Sequence, residues 1–122
     1  MRFALMTEPQ QGFSYAEILA MTRAADDAGF EAFFRSDHYA SFPGAAGLPT
    51  TDAWATIAGL ARETTRISLG VLVSPVTFRA PGNLAKVVAT VADERRPRGA
   101  GPGRGLEHAG APAAGPVLSR HR

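Results

Sequence analysis

The sequence predicts an α/β fold in which a strand–helix unit occurs three times. Three short apolar runs alternate with segments of helical periodicity over the first 92 of the 122 residues. The third run, residues 67–73, is almost entirely apolar, which is typical of a strand covered on both faces. Alternating units of this kind form a parallel sheet, or a (β/α) barrel, with right-handed crossovers.

The first unit combines a predicted strand over residues 2–6 with a predicted helix over residues 15–28. Ser14 and Glu17 have the spacing of a capping box, which satisfies free N–H groups at the start of a helix. Gly29 suits the left-handed position that follows many helices. Three residues fall on one face of this helix and predict its buried side: Ile18, Thr22 and Ala25.

The second unit begins with an apolar run over residues 30–36 that ends in polar, titratable residues. Asp37 and His38 directly follow this predicted strand. Parallel α/β folds keep their sites at the C-terminal ends of strands, so these side chains are candidates for chemistry. The next stretch, residues 39–50, contains two prolines and two glycines. It predicts a long loop, a kind of segment that often carries function.

Two further helices and one strand complete the pattern. Asp52 is placed to cap the second helix, and Pro81 suits the first turn of the third. The strand between these helices covers residues 67–73. Helical spacing in the second helix relates Trp54, Ile57, Ala58 and Ala61, and in the third helix Leu84, Val87, Val88 and Val91.

Residues 93–122 break the pattern, and we divide the chain into a folded part, residues 1–92, and a tail. The tail contains six Gly, four Pro, six Arg and five Ala residues and no Phe, Trp or Tyr. A segment of this composition cannot bury enough apolar surface to offset its chain entropy, so we expect disorder. The tail also holds all of the basic excess, because residues 1–92 carry seven Lys and Arg against eight Asp and Glu.

Composition narrows the classes of protein that fit. Without cysteine the chain has no disulfide framework and no thiolate zinc site, and we predict no metal site. No apolar run resembles a signal peptide or a membrane span, so we expect a cytoplasmic protein that does not enter membranes. The basic tail lacks the interleaved aromatic residues of many nucleic-acid-binding segments, so we do not expect nucleic acid as a partner.

Four stretches, taken in order, resemble the luciferase-like monooxygenase superfamily, and most of all its branch that depends on the deazaflavin coenzyme F420. They are Phe-Arg-Ser-Asp-His-Tyr at residues 34–39, Pro-Thr-Thr-Asp-Ala-Trp at residues 49–54, the stretch 69–79 that ends in Thr-Phe-Arg, and Pro-Gly-Asn-Leu-Ala-Lys at residues 81–86. The resemblance covers about residues 1–92. It implies a TIM barrel, a fold of about 250 residues, of which this chain supplies three of the eight units.

The resemblance also implies a function and site residues. The function is hydride transfer between F420 and a small organic substrate or, as the alternative, oxygenation by an FMN-dependent monooxygenase. His38 would approach the reactive face of the cofactor as an acid or base, a role that suits imidazole because it titrates near neutral pH; the alternative is a loop histidine without a role. Ser36 and Asp37 would belong to the same site. Asp37 would hydrogen-bond the cofactor ring or orient His38, or would only cap the loop.

A bulge at the end of the third strand would back the cofactor ring, again by resemblance. Matching the motif places its non-proline cis peptide bond between Leu72 and Val73, which we assign to the cofactor site. A relaxed trans bond is the alternative in an incomplete barrel. Trp54 is predicted to be a core residue rather than a cofactor contact, and Asp52 a helix cap rather than a catalyst.

The tail departs from the sequence that family members carry after residue 92, and a frameshift would explain this. One GC-rich choice of codons for residues 94–107, shifted by one base, encodes the glycine-rich segment of the family. We therefore predict a truncated oxidoreductase that is inactive or impaired. Two rival hypotheses are a non-catalytic half-barrel that self-associates through an exposed sheet edge and a nucleic-acid binder that uses the Arg/Gly tail.

Overall fold

Strands and helices alternate along the chain in the computed structural model, which describes residues 1–94 and 117–118. In order, the elements are β1 (Ala4–Thr7), α1 (Tyr15–Asp27), β2 (Ala32–Arg35), α2 (Ala53–Glu63), β3 (Ser68–Val71), α3 (Pro81–Glu94) and β4 (Val117–Leu118). The three predicted strand–helix units are therefore confirmed. Within the described part, no helix is both long enough and apolar enough to cross a membrane.

The strands form one sheet in the order β1-β2-β3-β4. The first three are parallel and in register, so that Ala4 lies beside Ala32 and Ala32 beside Ser68. The short β4 pairs antiparallel with β3. Residues 93 and 94 complete α3. The rest of the tail predicted to be disordered, apart from β4, lies outside the described residues.

The local signals at both ends of α1 act as predicted. The Glu17 N–H donates to Ser14 Oγ, and the Ser14 N–H donates to Glu17 Oε2 at 2.8 Å, which completes the capping box. At the other end Gly29 has a φ of +85°. The Phe30 N–H donates to the Ala25 carbonyl at 3.0 Å. Because this bond ties Phe30 to the helix end, β2 begins later than the residue 30 predicted from the sequence.

The core lies between the helices and one face of the sheet. Alternate strand residues Phe33, Leu69 and Val71 point into it and are fully buried. From α1 the three predicted residues are buried, and α3 contributes Val88 and Val91. The apolar core residues of α2 are Ala53, Trp54, Ile57, Leu60 and Ala61. Val87, which the apolar spacing of α3 also predicted to be buried, is exposed. The buried face of α3 is therefore narrower than the sequence predicted.

The C-terminal ends of the parallel strands lie at one edge of the sheet, and irregular segments follow them there. Residues 36–52 connect β2 to α2, and residues 72–80 connect β3 to α3. The long loop predicted over residues 39–50 is confirmed. Two cis peptide bonds occur in these segments, Phe42–Pro43 and Leu72–Val73.

Candidate functional site

Arg35, the last residue of β2, is fully buried and is bound by neutral oxygen atoms. Its Nη1 donates to Thr51 Oγ1 and Thr56 Oγ1, both at 2.8 Å, and its Nη2 donates to the Thr51 carbonyl at 3.0 Å. Burial lowers the pKa of this guanidinium, and the negative charges of Asp37 and Asp52 oppose that effect. Arg35 thus joins the end of β2 to the start of α2.

Ser36 is buried, and its hydroxyl is engaged inside the protein. Its Oγ donates to Gln10 Oε1 at 2.6 Å, and the Gln10 amide nitrogen donates to the Phe42 carbonyl at 2.7 Å. Gln10 itself is fully buried. The pair connects the loop after β1 with the loop after β2. The hydrogen bond to Gln10 gives Ser36 a structural role. Its contact with a cofactor stays a prediction.

Asp37 is buried, with 3% of its surface exposed, and uses only one of its two carboxylate oxygens. Arg79 binds its Oδ2, whereas its Oδ1 has no hydrogen-bond partner in the part of the chain that the structure describes. A buried carboxylate oxygen without a donor is uncommon and calls for an explanation. Asp37 Oδ1 is therefore a buried acceptor that lacks a donor within the described residues.

The second guanidinium nitrogen of Arg79 binds Oδ2 of Asp52, so Arg79 bridges two carboxylates. Burial alone would lower the pKa of Arg79, but its hydrogen bonds to Asp37 and Asp52 and their charges outweigh burial and hold the pKa above its usual value. Burial likewise acts to raise the pKa of Asp52. The hydrogen bond from the Ala55 N–H and the contact with Arg79 outweigh it and hold that pKa below its usual value. Arg79 and Asp52 therefore stay ionised at neutral pH.

His38 follows Asp37 and is half-buried. Its ring lies 5.8 Å from the ring of Phe42, and among the described residues its nitrogens form no hydrogen bond. One role predicted for Asp37 was to orient His38. In the described residues Asp37 does not bind His38, so the structure shows no contact for that role. The imidazole is thus available to exchange a proton with a bound molecule.

Tyr39 continues the row of side chains and packs against the segment after β3. Its ring stacks on Phe78 with a centroid distance of 4.4 Å and an interplanar angle of 18°. The guanidinium carbon of Arg79 lies 5.7 Å from the centroid of the Tyr39 ring, within the range of a cation–π contact. Tyr39 and Phe78 join the two loops through apolar contact beside the ion pairs.

Leu72 and Val73 lie where β3 ends, and the peptide bond between them is cis, at the predicted position. The Leu72 N–H donates to the Arg35 carbonyl at 2.9 Å, which keeps this bond beside the end of β2. Val73 is 46% exposed. The two residues assigned to the site on β3 therefore adjoin those on β2, and their contact with a cofactor stays a prediction.

Two residues assigned structural roles take those roles. Trp54 is 1% exposed in the core, where its Nε1 donates to Ser74 Oγ at 2.7 Å. Asp52 caps α2, since its Oδ1 accepts from the Ala55 N–H at 2.9 Å. Asp52 also binds Arg79, an interaction that the sequence analysis did not predict.

A groove of about 390 Å³ lies between α2 and α3. Its lining residues include Trp54, Ala58, Val87 and Val91, as well as Asp52 and Arg79. Neither Asp37 nor His38 lines it, but Arg79, which binds Asp37, does, so the groove adjoins the predicted site. In the described residues, no group of three or more His, Asp or Glu side chains could hold a metal ion.

Sequence reasoning missed three residues of this region: Gln10, Arg35 and Arg79. Arg35 carried a usable signal, because it lies two positions from Phe33 and so shares the buried face of a strand. Arg79 ends the quoted stretch 69–79, but no local pattern indicated its carboxylate partners, which lie 42 and 27 positions away in the chain. Gln10 likewise meets Ser36 only through the fold.

Comparisons with known proteins agree with the fold. The sequence model of the family described as luciferase-like monooxygenase matches residues 1–98. Among solved structures, the chain is similar to a coenzyme F420-dependent tetrahydromethanopterin reductase from Methanopyrus kandleri, with 22% identity and a TM-score of 0.64. That match covers 77% of this chain but only 24% of the reductase, so the likeness extends to fold alone. No curated protein matches the sequence.

Proposed function

Because this chain belongs to the luciferase-like monooxygenase family, we propose that the loops after β2 and β3 form one wall of a redox-cofactor site. The cofactor we propose is coenzyme F420, with FMN as the alternative. The parent activity is hydride transfer between F420 and a small organic substrate. The reductase with a similar fold is F420-dependent, which supports this choice of cofactor.

Asp37 Oδ1 is the observation that carries the proposal. Among the described residues it is a buried acceptor without a donor, at the end of a parallel strand where α/β folds bind ligands. Deazaflavin and flavin rings both carry an imide N–H group, which is the donor that such an oxygen lacks. The residues present therefore fit a ring of this class.

His38 is the acid–base group of the proposal. Its imidazole has no hydrogen-bond partner in the described residues, so either ring nitrogen can give or take a proton at a bound molecule. Leu72 and Val73 would support the ring from the side of β3, where Val73 is exposed. When bound, F420 accepts or supplies the hydride, and the protein orients the reactants and excludes water.

The chain spans about a quarter of the length of the reductase it resembles. We propose that this product by itself binds cofactor weakly and turns over little or no substrate, since a TIM barrel builds its site from eight loops. A frameshift after about residue 92 remains our explanation for the tail. Reading the gene across residues 88–108 tests it, and the idea fails if the shifted frame does not encode the glycine-rich family segment.

Titrating the purified chain with F420 and with FMN, and following the fluorescence of each, tests the cofactor site. We expect saturable quenching by one of them. In Asp37→Asn an amide nitrogen replaces one carboxylate oxygen, and the charge-assisted hydrogen bond is lost. The affinity should fall about tenfold or more, as expected for a hydrogen bond to a charged group.

Asp27→Asn is the matched control, because it makes the same chemical change at an exposed residue at the C-terminal end of α1. Its affinity for the cofactor should equal that of the wild type. The proposed site is wrong if neither cofactor binds, or if the two variants weaken binding equally.

Self-association is a second candidate property, supported by the edge of the sheet. In the described residues β1 pairs with β2 alone, so its other edge is free. Unpaired strand edges tend to pair with other chains. Sedimentation at several concentrations should show dimers or larger species, and a monomer at all concentrations would exclude this property.

A further inference from the structure

We propose that Arg79 is the positioning residue of the His38 site, because its guanidinium ties both ends of the loop that carries His38 to the segment before α3. Asp37 is the second residue of the loop of residues 36–52, and Asp52 is its last. Arg79 binds one oxygen of each. Both residues that flank positions 38–51 are therefore bound to the same side chain, that of Arg79.

The planar guanidinium fits this task better than an ammonium group. Its two terminal nitrogens point in fixed directions, so each can hold a separate carboxylate at the same time. With 14% of its side chain exposed, Arg79 is largely shielded from solvent. Water and salt therefore weaken the pair with the buried Asp37 less than they weaken pairs on the surface, whereas the Asp52 side chain is 43% exposed.

The contact also determines which oxygen of Asp37 is available. Arg79 occupies Oδ2, whereas Oδ1 has no hydrogen-bond partner in residues 1–94 and 117–118. At the same time Tyr39, on the other side of His38, stacks on Phe78, the neighbour of Arg79 in the chain. His38 is thus held between two residues, each of which is attached to the segment after β3.

Other contacts hold the rest of the loop, so loss of Arg79 should release only part of it. The Gln10 and Gln11 amide groups donate to the carbonyls of Phe42 and Pro43 at 2.7 and 2.6 Å. Arg35 holds Thr51 and contributes a positive charge beside Asp37. We expect Arg79→Met to fold for this reason, with a changed conformation at residues 37–39.

The first readout needs no cofactor. The ¹H–¹³C signal of the His38 ring, assigned with His38→Gln, should shift and broaden in Arg79→Met. Chymotrypsin should cleave after Tyr39 about tenfold faster, since local opening governs cleavage of a folded chain. Arg62→Met is the matched control, because Arg62 pairs with Glu94 away from this loop. It should leave both readouts unchanged.

Two further variants keep the test decisive if Arg79→Met fails to fold. Arg79→Lys retains the charge but cannot hold both carboxylates in the same geometry, and Asp52→Asn retains a good helix cap while it removes one end of the bridge. Each should give an intermediate His38 signal and cleavage rate. Wild-type values of both readouts in folded Arg79→Lys and Asp52→Asn would overturn the proposal.

The effect on cofactor binding rests on the proposed function and is measured separately. Arg79→Met should weaken binding of F420 or FMN about tenfold or more, as loss of an aligned acceptor predicts. If the wild type binds neither cofactor, the proposed function fails while the His38 signal still tests Arg79. If binding occurs and Arg79→Met leaves it unchanged, the positioning role is refuted.

Discussion

Replacing Gly59 with alanine should destabilise the fold, although alanine is the better helix former. Gly59 lies inside α2, where glycine costs about 1 kcal/mol relative to alanine. A Cβ atom built at Gly59 would lie 2.6 Å from Tyr15 Oη and 2.8 Å from Tyr15 Cε2. Carbon atoms in contact sit about 3.5–4.0 Å apart, so the Tyr15 ring has to move by about 1 Å.

The cost follows from what the ring holds. Tyr15 Oη donates to Glu63 Oε1 at 2.9 Å, and Glu63 also pairs with Arg23 at 3.2 Å. Overpacking of this kind costs about 1–3 kcal/mol, from which the helix gain of about 1 kcal/mol is subtracted. We expect a net loss of about 1 kcal/mol in the free energy of unfolding.

A double-mutant cycle isolates this contact. In a Tyr15→Ala background the ring is absent, so Gly59→Ala should stabilise the chain by about 1 kcal/mol. The sign of the effect therefore reverses, with a coupling energy of about 2 kcal/mol between the two positions. Urea unfolding of the four chains, followed by circular dichroism, measures both values.

Titration of the phenol gives an independent readout. Burial, together with the hydrogen bond to Glu63 and the charge of Glu63, raises the pKa of Tyr15 to about 12. The stability that this raised pKa contributes is fully present below about pH 10 and is lost as the pH rises through about 12. Displacing the ring should return the pKa towards its usual value, measured by absorbance in a Tyr39→Phe background. An equal effect of Gly59→Ala in both backgrounds, with an unchanged phenol pKa, would refute the reasoning.

Two further predictions concern Asp52 and Ser36. Asp52→Ala should cost about 1 kcal/mol through loss of the helix cap, and Asp52→Asn less, because asparagine also caps helices. The pKa of Asp52 is held below its usual value, so its charge stabilises the fold at neutral pH, and this contribution is lost as the pH falls through that pKa. The loss in free energy of unfolding caused by Asp52→Asn, measured by urea unfolding, should therefore become smaller in acid. A loss that becomes larger in acid would contradict this. Ser36→Ala should cost about 1–3 kcal/mol, because the buried Gln10 Oε1 loses its donor. Ser41→Ala, which removes an exposed hydrogen bond to the Leu48 N–H, is its control and should cost less.

Local signals were sufficient for most of the fold. The capping box at Ser14, the left-handed Gly29 and the Asp52 cap each act within a few residues, so neighbouring side chains determine them. The strand boundaries were less accurate. Phe30 is bound to the end of α1, and the chain leaves the sheet after Arg35, so β2 is shorter than its apolar run.

The candidate site could be predicted only in part. Its place at the end of β2 follows from an apolar run that ends in Asp37 and His38, and the cis bond at Leu72–Val73 followed from resemblance to a family. Its charged contacts were not predictable. Arg79 meets Asp37 across 42 positions of the chain, and no local pattern encodes which of several acidic residues an arginine will meet.

The sequence by itself therefore determined the alternating elements, their caps, the buried faces of α1 and α2, and the strand end where His38 lies. These features depend on the period of apolar residues and on contacts within one or two turns. The tertiary structure alone decided that Arg79 bridges Asp37 and Asp52 and that Ser36 binds Gln10. It also decided that one oxygen of Asp37 has no partner in the described part of the chain. The reason is physical: parallel strands bring loops from distant parts of the chain to one edge of the sheet, and only there do these side chains meet.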